Sequence, residues 1–257
     1  MEENNLPSDF HLYSIKIKKL GNNLEDVFAL HALPFIEIGI THGRYTKFTY
    51  GSIFKNNIIK VTLDGVTEIG ESTFVHSELR VIELPPTLRH IGPFAFQHSD
   101  LVSIDLSNTK ITTIEHSTFE NAALLVTVDL SNTNLSSIGE AAFFDCTSLT
   151  TINLSNTNLS SIGNVAFSNC TSLTTINLPS TLTRIGYGAF LNCSALKTIT
   201  LPSTLTSIGT HWNADAAFAG CTGLTTITIR YTGDRPTDFA NAYDPNKRVL
   251  IQWVKID

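Results

Sequence analysis

Residues 131–154 read SNTNLSSIGEAAFFDCTSLTTINL and residues 155–178 read SNTNLSSIGNVAFSNCTSLTTINL, two adjoining blocks that agree at 20 of 24 positions. They differ only where Glu140, Ala141, Phe144 and Asp145 give way to Asn164, Val165, Ser168 and Asn169. A period of this length marks a solenoid or array in which each unit buries its apolar face against the next, so it outranks local propensity. Followed outward, one isoleucine per unit marks seven units: Ile69, Ile91, Ile114, Ile138, Ile162, Ile185 and Ile208, at spacings of 22, 23, 24, 24, 23 and 23. Five residues after each mark stands Phe74, Phe96, Phe119, Phe143, Phe167 or Phe190, and an insertion displaces Phe218.

Each unit then carries a leucine, a β-branched residue three later and an apolar residue two later, as in Leu149, Ile152 and Leu154. That alternation, in a short run rich in Thr and Ile, predicts a strand with Ile and Leu facing inward, the same in every coil. Glycine follows the marker isoleucine at 70, 92, 139, 163, 186 and 209, where a positive φ or a close backbone approach is predicted; Glu115 is the exception. The return stretch G-x-x-A-F-x-N-C is too short for more than one or two helical turns.

The bulk numbers agree with a folded chain and narrow its partners. With 257 residues and 42% apolar content there is enough for a continuous core. Charged residues make up only 16%, against roughly 25% in an ordinary globular chain, while 33 residues are threonine, so hydroxyls must cover much of the surface. A net charge of −6 argues against nucleic acid or an acidic membrane as the general partner, since phosphates need clustered Lys and Arg. The start, MEENNLPSDFHLYSIKIKKL, lacks the basic and apolar regions of a secretory signal, and no run approaches the ~18 apolar residues of a membrane span. The sequence therefore reads as a cytoplasmic chain without membrane insertion.

The pattern L-x-x-I-x-L followed by S-N-T-N-L resembles the leucine-rich repeat, with Thr157 where many repeats carry Asn. More specifically, INLPSTLTRIGYGAFLNCSALKTITLP (176–202) is similar to the BspA-like class, whose units read I-x-L-P-x-x-L-x-x-I-G-x-x-A-F-x-x-C-x-x-L. The resemblance covers about residues 59–229; the first two clear units depart from it, with shorter HSEL and HSDL turns that lack the Cys. It implies a right-handed, α/β-type horseshoe arc with a parallel β-sheet on the concave face and irregular or short helical turns on the convex side. Eight strands about 4.8 Å apart, counting one near Val61–Leu63, make a sheet roughly 35–40 Å long. The predicted division is an N-terminal cap of helix and strand at 1–58, a solenoid of about eight coils at 59–229 and a C-terminal cap at 230–257.

Sites follow from register. Residues flanking the central β-branched position face outward in two columns: Lys60, Val81, Ser103, Thr127, Thr151, Thr175, Thr198 and Thr226 in one, Thr62, Glu83, Asp105, Asp129, Asn153, Asn177, Thr200 and Thr228 in the other. The three consecutive acids repel one another and would be relieved by a basic partner. The insertion between Ile208 and Phe218 presents Trp212 as a further contact. Cys146, Cys170, Cys193 and Cys221 recur at the repeat spacing, which predicts a row of buried reduced thiols rather than a metal or disulfide set. His76 and His98, each followed two residues later by Glu78 or Asp100, fall on one edge as a candidate site for a divalent cation. The sequons at Asn134, Asn153, Asn158, Asn169 and Asn192 arise from the repeated text itself.

Together these features predict a non-enzymatic module, needing no cofactor, that binds a protein through its concave face. The family resemblance implies adhesion or host-cell interaction and a secreted or surface setting reached by a non-classical route. The alternatives are the cation site, a Thr array at 198, 200, 226 and 228 that binds glycan or another surface, and a structural spacer.

Overall fold

A computed structural model describes residues 58–209, 217–233 and 249–256, together with backbone strands at 13–17, 36–41 and 47–48. The chain winds as a solenoid, and every strand pairing is parallel. The main sheet takes one strand per coil: Tyr13–Ile17, Ile36–Thr41, Ile58–Asp64, Val81–Glu83, Ser103–Asp105, Thr127–Asp129, Thr151–Asn153, Thr198–Leu201, Thr226–Tyr231 and Leu250–Lys255. Each segment expected to act as a cap thus contributes strands to this sheet, Tyr13–Ile17 and Ile36–Thr41 at one end and Leu250–Lys255 at the other. The described residues contain no helix.

A second ladder runs through the marker isoleucines. Two-residue strands at Lys47–Phe48, Glu68–Ile69, His90–Ile91, Thr113–Ile114, Ser137–Ile138, Ser161–Ile162, Arg184–Ile185 and Ser207–Ile208 pair coil to coil in two runs, divided between Ile91 and Thr113. Its sequence signal is the Thr, Ser or Arg that precedes most marks, a two-residue alternation too short to predict a strand on its own.

The main sheet is not uniform, and this corrects the expectation of one strand repeated in every coil. It divides into a block ending at Val81–Glu83, a middle block of Ser103–Asp105, Thr127–Asp129 and Thr151–Asn153, and a block starting at Thr198–Leu201. Residues 175–177 keep the outward-inward-outward pattern without joining a ladder. Both edges of the middle block coincide with a change in the corner after the strand. Leu84–Leu88, Leu178–Leu182 and Leu201–Leu205 turn through Pro85, Pro179 and Pro202, whose carbonyls accept from Leu88, Leu182 and Leu205 N–H at 3.1 Å. In the middle block Leu106–Ile111, Leu130–Leu135 and Leu154–Leu159 contain one residue more, written S-N-T-x. Corner length alone does not set the ladder, since Ile58–Asp64 pairs with Val81–Glu83 across corners of four and five residues, and 175–177 stays unpaired beside a corner of equal length.

The core is a column of rings. Phe74, Phe96, Phe119, Phe143, Phe167, Phe190 and Phe218 are almost wholly buried, and successive centroids lie 5.1–5.5 Å apart with planes within 12° of parallel. Phe218 rejoins this stack despite the insertion before it. Of the two readings of the glycines after the marker, close approach is the one observed. A Cβ on Gly163 would sit 2.5 Å from the Gly139 carbonyl carbon, and one on Gly92 2.6 Å from Glu71 N, while neither glycine has a positive φ.

Left-handed backbone appears instead two residues either side of the phenylalanine. Before it lie Ser72, Phe94, Ser117, Ala141, Val165 and Gly188; after it His76, His98, Asn121, Asp145, Asn169, Asn192 and Gly220. This alternation aims every second N–H at the next coil, as when Phe143 N donates to Ala166 O and Asp145 N to Ser168 O, at 2.8 and 3.0 Å. Even Val165, whose β-branch disfavours the region, adopts φ 46.

Two substitutions test this account. Phe143→Ala should lower unfolding free energy by about 3–5 kcal/mol through the cavity it opens between two rings. Gly163→Ala should destabilise by about 1–3 kcal/mol by forcing coils apart. Urea unfolding followed by circular dichroism measures both.

Candidate binding face on the middle block

The longer corner organises the outward side chains of the middle block. Asp105 Oδ1 accepts from Ser107 N at 2.9 Å and from Ser107 Oγ at 2.6 Å; Asp129 Oδ1 accepts from Ser131 N at 2.8 Å; Asn153 Oδ1 accepts from Ser155 N at 3.1 Å. These are Asx turns, in which a side-chain oxygen satisfies the backbone N–H two residues on. Inside the same corners Thr109, Thr133 and Thr157 donate to the carbonyls of Leu106, Leu130 and Leu154 at 2.6, 2.7 and 2.8 Å. Each Asp or Asn is therefore anchored by one oxygen, its other polar atom left toward the sheet surface. The sequence carried this signal as D-L-S, D-L-S and N-L-S, an acceptor two residues before Ser.

Between the two outward columns lies a depression of about 340 Å³ lined by Ser103, Asp105, Thr127, Asp129, Thr151 and Asn153, with Ile104 and Val128 as its floor. Its strands are in direct register, Thr127 beside Ser103 and Thr151, Asp129 beside Asp105 and Asn153. Two carboxylates and a row of hydroxyls thus share one rigid, partly apolar cleft.

The other predicted residues have varied fates. Glu83 does not join an acidic triplet: Lys60 Nζ stands 3.0 Å from its Oε1 and Thr62 Oγ1 donates to its Oε2 at 2.9 Å, and the sheet divides between it and Asp105. The Lys60 contact, then the Thr62 hydroxyl, hold the Glu83 carboxyl below its ordinary range. Thr175 and Asn177 are exposed on the segment 175–177, which joins no ladder of the main sheet. Thr198 and Thr200 pair in register with Thr226 and Thr228, so the structure assembles that hydroxyl group as a two-by-two patch. Trp212 lies outside the described residues. His76 and His98 stack at 4.5 Å between ring centroids, yet no three His, Cys, Asp or Glu groups converge as a metal cage among the described residues, so Glu78 and Asp100 do not complete a four-ligand site.

The cysteines are four free, buried thiols. Cys146, Cys170, Cys193 and Cys221 donate to the carbonyls of Phe119, Phe143, Phe167 and Phe190 at 3.0, 3.2, 3.1 and 2.9 Å, each capping the phenylalanine one coil back. Burial pushes the Cys146 and Cys170 thiols well up, and the bond to Cys221 together with burial does the same for Cys193.

Several polar columns went unread in the sequence. Ser136, Ser160, Thr183 and Thr206 each donate to a carbonyl of the preceding coil at 2.9–3.1 Å. An amide column follows the left-handed position, with Asn169 Nδ2 donating to Asp145 Oδ1 at 2.6 Å and Asn192 Nδ2 to Asn169 Oδ1 at 2.9 Å.

Comparison with known proteins converges on one architecture. The chain matches the model of the BspA type leucine rich repeat region in six copies, over residues 46–157 and 125–235. No curated protein matches it. A leucine-rich repeat protein from Bacteroides ovatus superimposes with a TM-score of 0.60 at 23% identity, over 86% of this chain and 60% of its own length. A leucine rich cell surface protein from Faecalibacterium prausnitzii gives 0.48 at 25% identity, over 85% of this chain and 66% of its own. The chain thus spans less than two thirds of either. The first likeness is one of fold. No helix among the described residues is long and apolar enough to cross a membrane.

Two outcomes are expected. Asp129→Ala should lose about 1 kcal/mol by freeing the Ser131 N–H, whereas Asp129→Asn should keep the turn as Asn153 does; thermal melts separate them. The thiols should resist a disulfide reagent until the chain unfolds. A thiol pKa raised by folding contributes stability that is complete below the unfolded value near 8.5 and is lost progressively as pH rises from there toward the folded value. The melting temperature should therefore fall above about pH 8.5, and less in a Cys146→Ser/Cys170→Ser variant.

Proposed function

Because the chain belongs to the BspA-type leucine-rich repeat family, we propose that it is a non-enzymatic recognition module that docks a protein partner on the middle block of its main sheet. The observation that carries this reading is the depression over Ser103, Asp105, Thr127, Asp129, Thr151 and Asn153. Its composition favours a basic partner. Asp105 and Asp129 sit on neighbouring strands with no cation beside them among the described ion pairs, unlike Glu83 with Lys60. An Arg or Lys side chain laid between them would relieve their mutual repulsion and gain charge-assisted hydrogen bonds over an apolar floor. The anchoring of each Oδ1 by its own backbone means little side-chain entropy is lost on binding. Within this reading, contact with another cell or a host surface is the setting that the family resemblance implies.

The test compares capture of partners by the wild-type chain, an Asp105→Lys/Asp129→Lys variant and a Thr198→Lys/Thr200→Lys variant, identified by mass spectrometry. A partner held by the proposed face should be lost from the first variant, kept by the second and weakened as salt rises from about 50 to 300 mM. Retention by the first variant at wild-type level would overturn the assignment.

A further inference from the structure

We propose that His76 and His98 form a two-imidazole site for a divalent transition metal of the copper, nickel and zinc group. The two residues occupy the same place in consecutive coils, two residues after Phe74 and Phe96, on the return side rather than the main sheet. Both have left-handed backbone, φ 53 and 55, and both are pinned there. His76 N donates to Gln97 O and His98 N to Glu120 O, each at 2.9 Å. The side chains leave the coil in parallel, and their rings stack 4.5 Å apart with planes 9° from parallel. Both are exposed. From Asp145 onward the same position carries the hydrogen-bonded side chains of Asp145, Asn169 and Asn192, each amide donating to the residue one coil back. In the two histidine coils that column becomes a pair of nitrogen ligands at the coil spacing.

Neutral imidazole is the ligand that Cu²⁺, Ni²⁺ and Zn²⁺ share, and Cu²⁺ stands highest in that series. Metal–nitrogen bonds of about 2.0–2.1 Å at adjacent coordination positions need the two nitrogens roughly 3 Å apart. Rings stacked at 4.5 Å reach that by tilting toward one another about χ1 and χ2, which exposed side chains do freely while the backbone stays in place. Because the coils already hold both ligands adjacent, binding orders only the two rings. Since no third His, Cys, Asp or Glu among the described residues converges there, this is an open chelate whose remaining positions go to water or to a ligand from a partner. Protons compete for the same lone pairs, so acid should release the metal.

The experiment titrates the untagged full chain with Cu²⁺ alone in a non-coordinating buffer, following the copper electron paramagnetic resonance spectrum. One site with hyperfine splitting from two imidazole nitrogens is expected. His76→Asn and His98→Asn should each weaken binding at least tenfold, and His116→Asn should leave it unchanged. Asparagine is the replacement because Asn121, Asn169 and Asn192 already occupy this left-handed position, so the coil keeps its fold, which a thermal melt verifies. An unchanged affinity in His98→Asn, a spectrum with a single imidazole nitrogen, or equal copper uptake by the doubly substituted chain would overturn the proposal.

Discussion

Everything in this molecule is referred to one distance, the rise of about 5 Å from each coil to the next. Parallel strands require it for their hydrogen bonds. Seven phenylalanine rings, stacked at 5.1–5.5 Å, fill it from the inside. Aromatic rings left to themselves favour offset or edge-on contacts; here near-parallel stacking is imposed because each coil is a translated copy of the last. The same rise forbids a side chain at the glycine after most markers, where a Cβ would enter the backbone of the coil before. Core packing, backbone bonding and glycine placement are therefore three views of a single repeat length.

A repeat that tolerates no change in rise can still change its perimeter, and it does so at the corner after the main strand. The three S-N-T-x corners follow the three strands that pair as the middle block, and proline corners lie on either side of it. The candidate binding face is the middle block itself. Ser107, Ser131 and Ser155 stand where the shorter corners carry Pro85, Pro179 and Pro202, which have no N–H, and theirs are the N–H groups that Asp105, Asp129 and Asn153 cap at the edge of the depression. Serine in place of proline thus links local turn chemistry to the outward side chains of this block.

This hierarchy explains which features the sequence disclosed. Ile138 and Ile162, or Phe143 and Phe167, are obligatory in every coil, and repetition makes them conspicuous. The buried thiol row was legible for the same reason, since Cys146, Cys170, Cys193 and Cys221 keep step with the phenylalanines whose carbonyls they cap. What escaped was pairwise and local. Glu83 looked like the first of three repelling acids, because a column of residue types does not reveal that Lys60, one coil earlier, reaches across to it. Asp105 and Asp129 looked like free charges because the i to i+2 capping pattern was not weighed against the outward-facing one. The edges of the middle block coincide with the change between L-P-S-T-L and L-S-N-T-N-L, a one-residue difference that a period of 22–24 residues does not bring out.

Translation also dictates what kinds of polar residue such a chain can use. Any position repeated in register places identical groups one coil apart, and like charges so placed repel. Hydroxyls and amides escape this because each both donates and accepts, so a column of them becomes a chain of bonds. Ser136, Ser160, Thr183 and Thr206 form such a column to the backbone, and Asp145, Asn169 and Asn192 form one among side chains. A chain with 33 threonines and only 16% charged residues is the compositional result. Where charge does appear in a column it is neutralised by a neighbour, as Glu83 is by Lys60, or steadied by its own corner, as Asp105 and Asp129 are. The last two are neutralised by nothing inside the described molecule's ion pairs. Asp105 and Asp129 thus stand on neighbouring strands as charges held by a corner that only three coils possess, and the proposed docking of a basic partner rests on that arrangement.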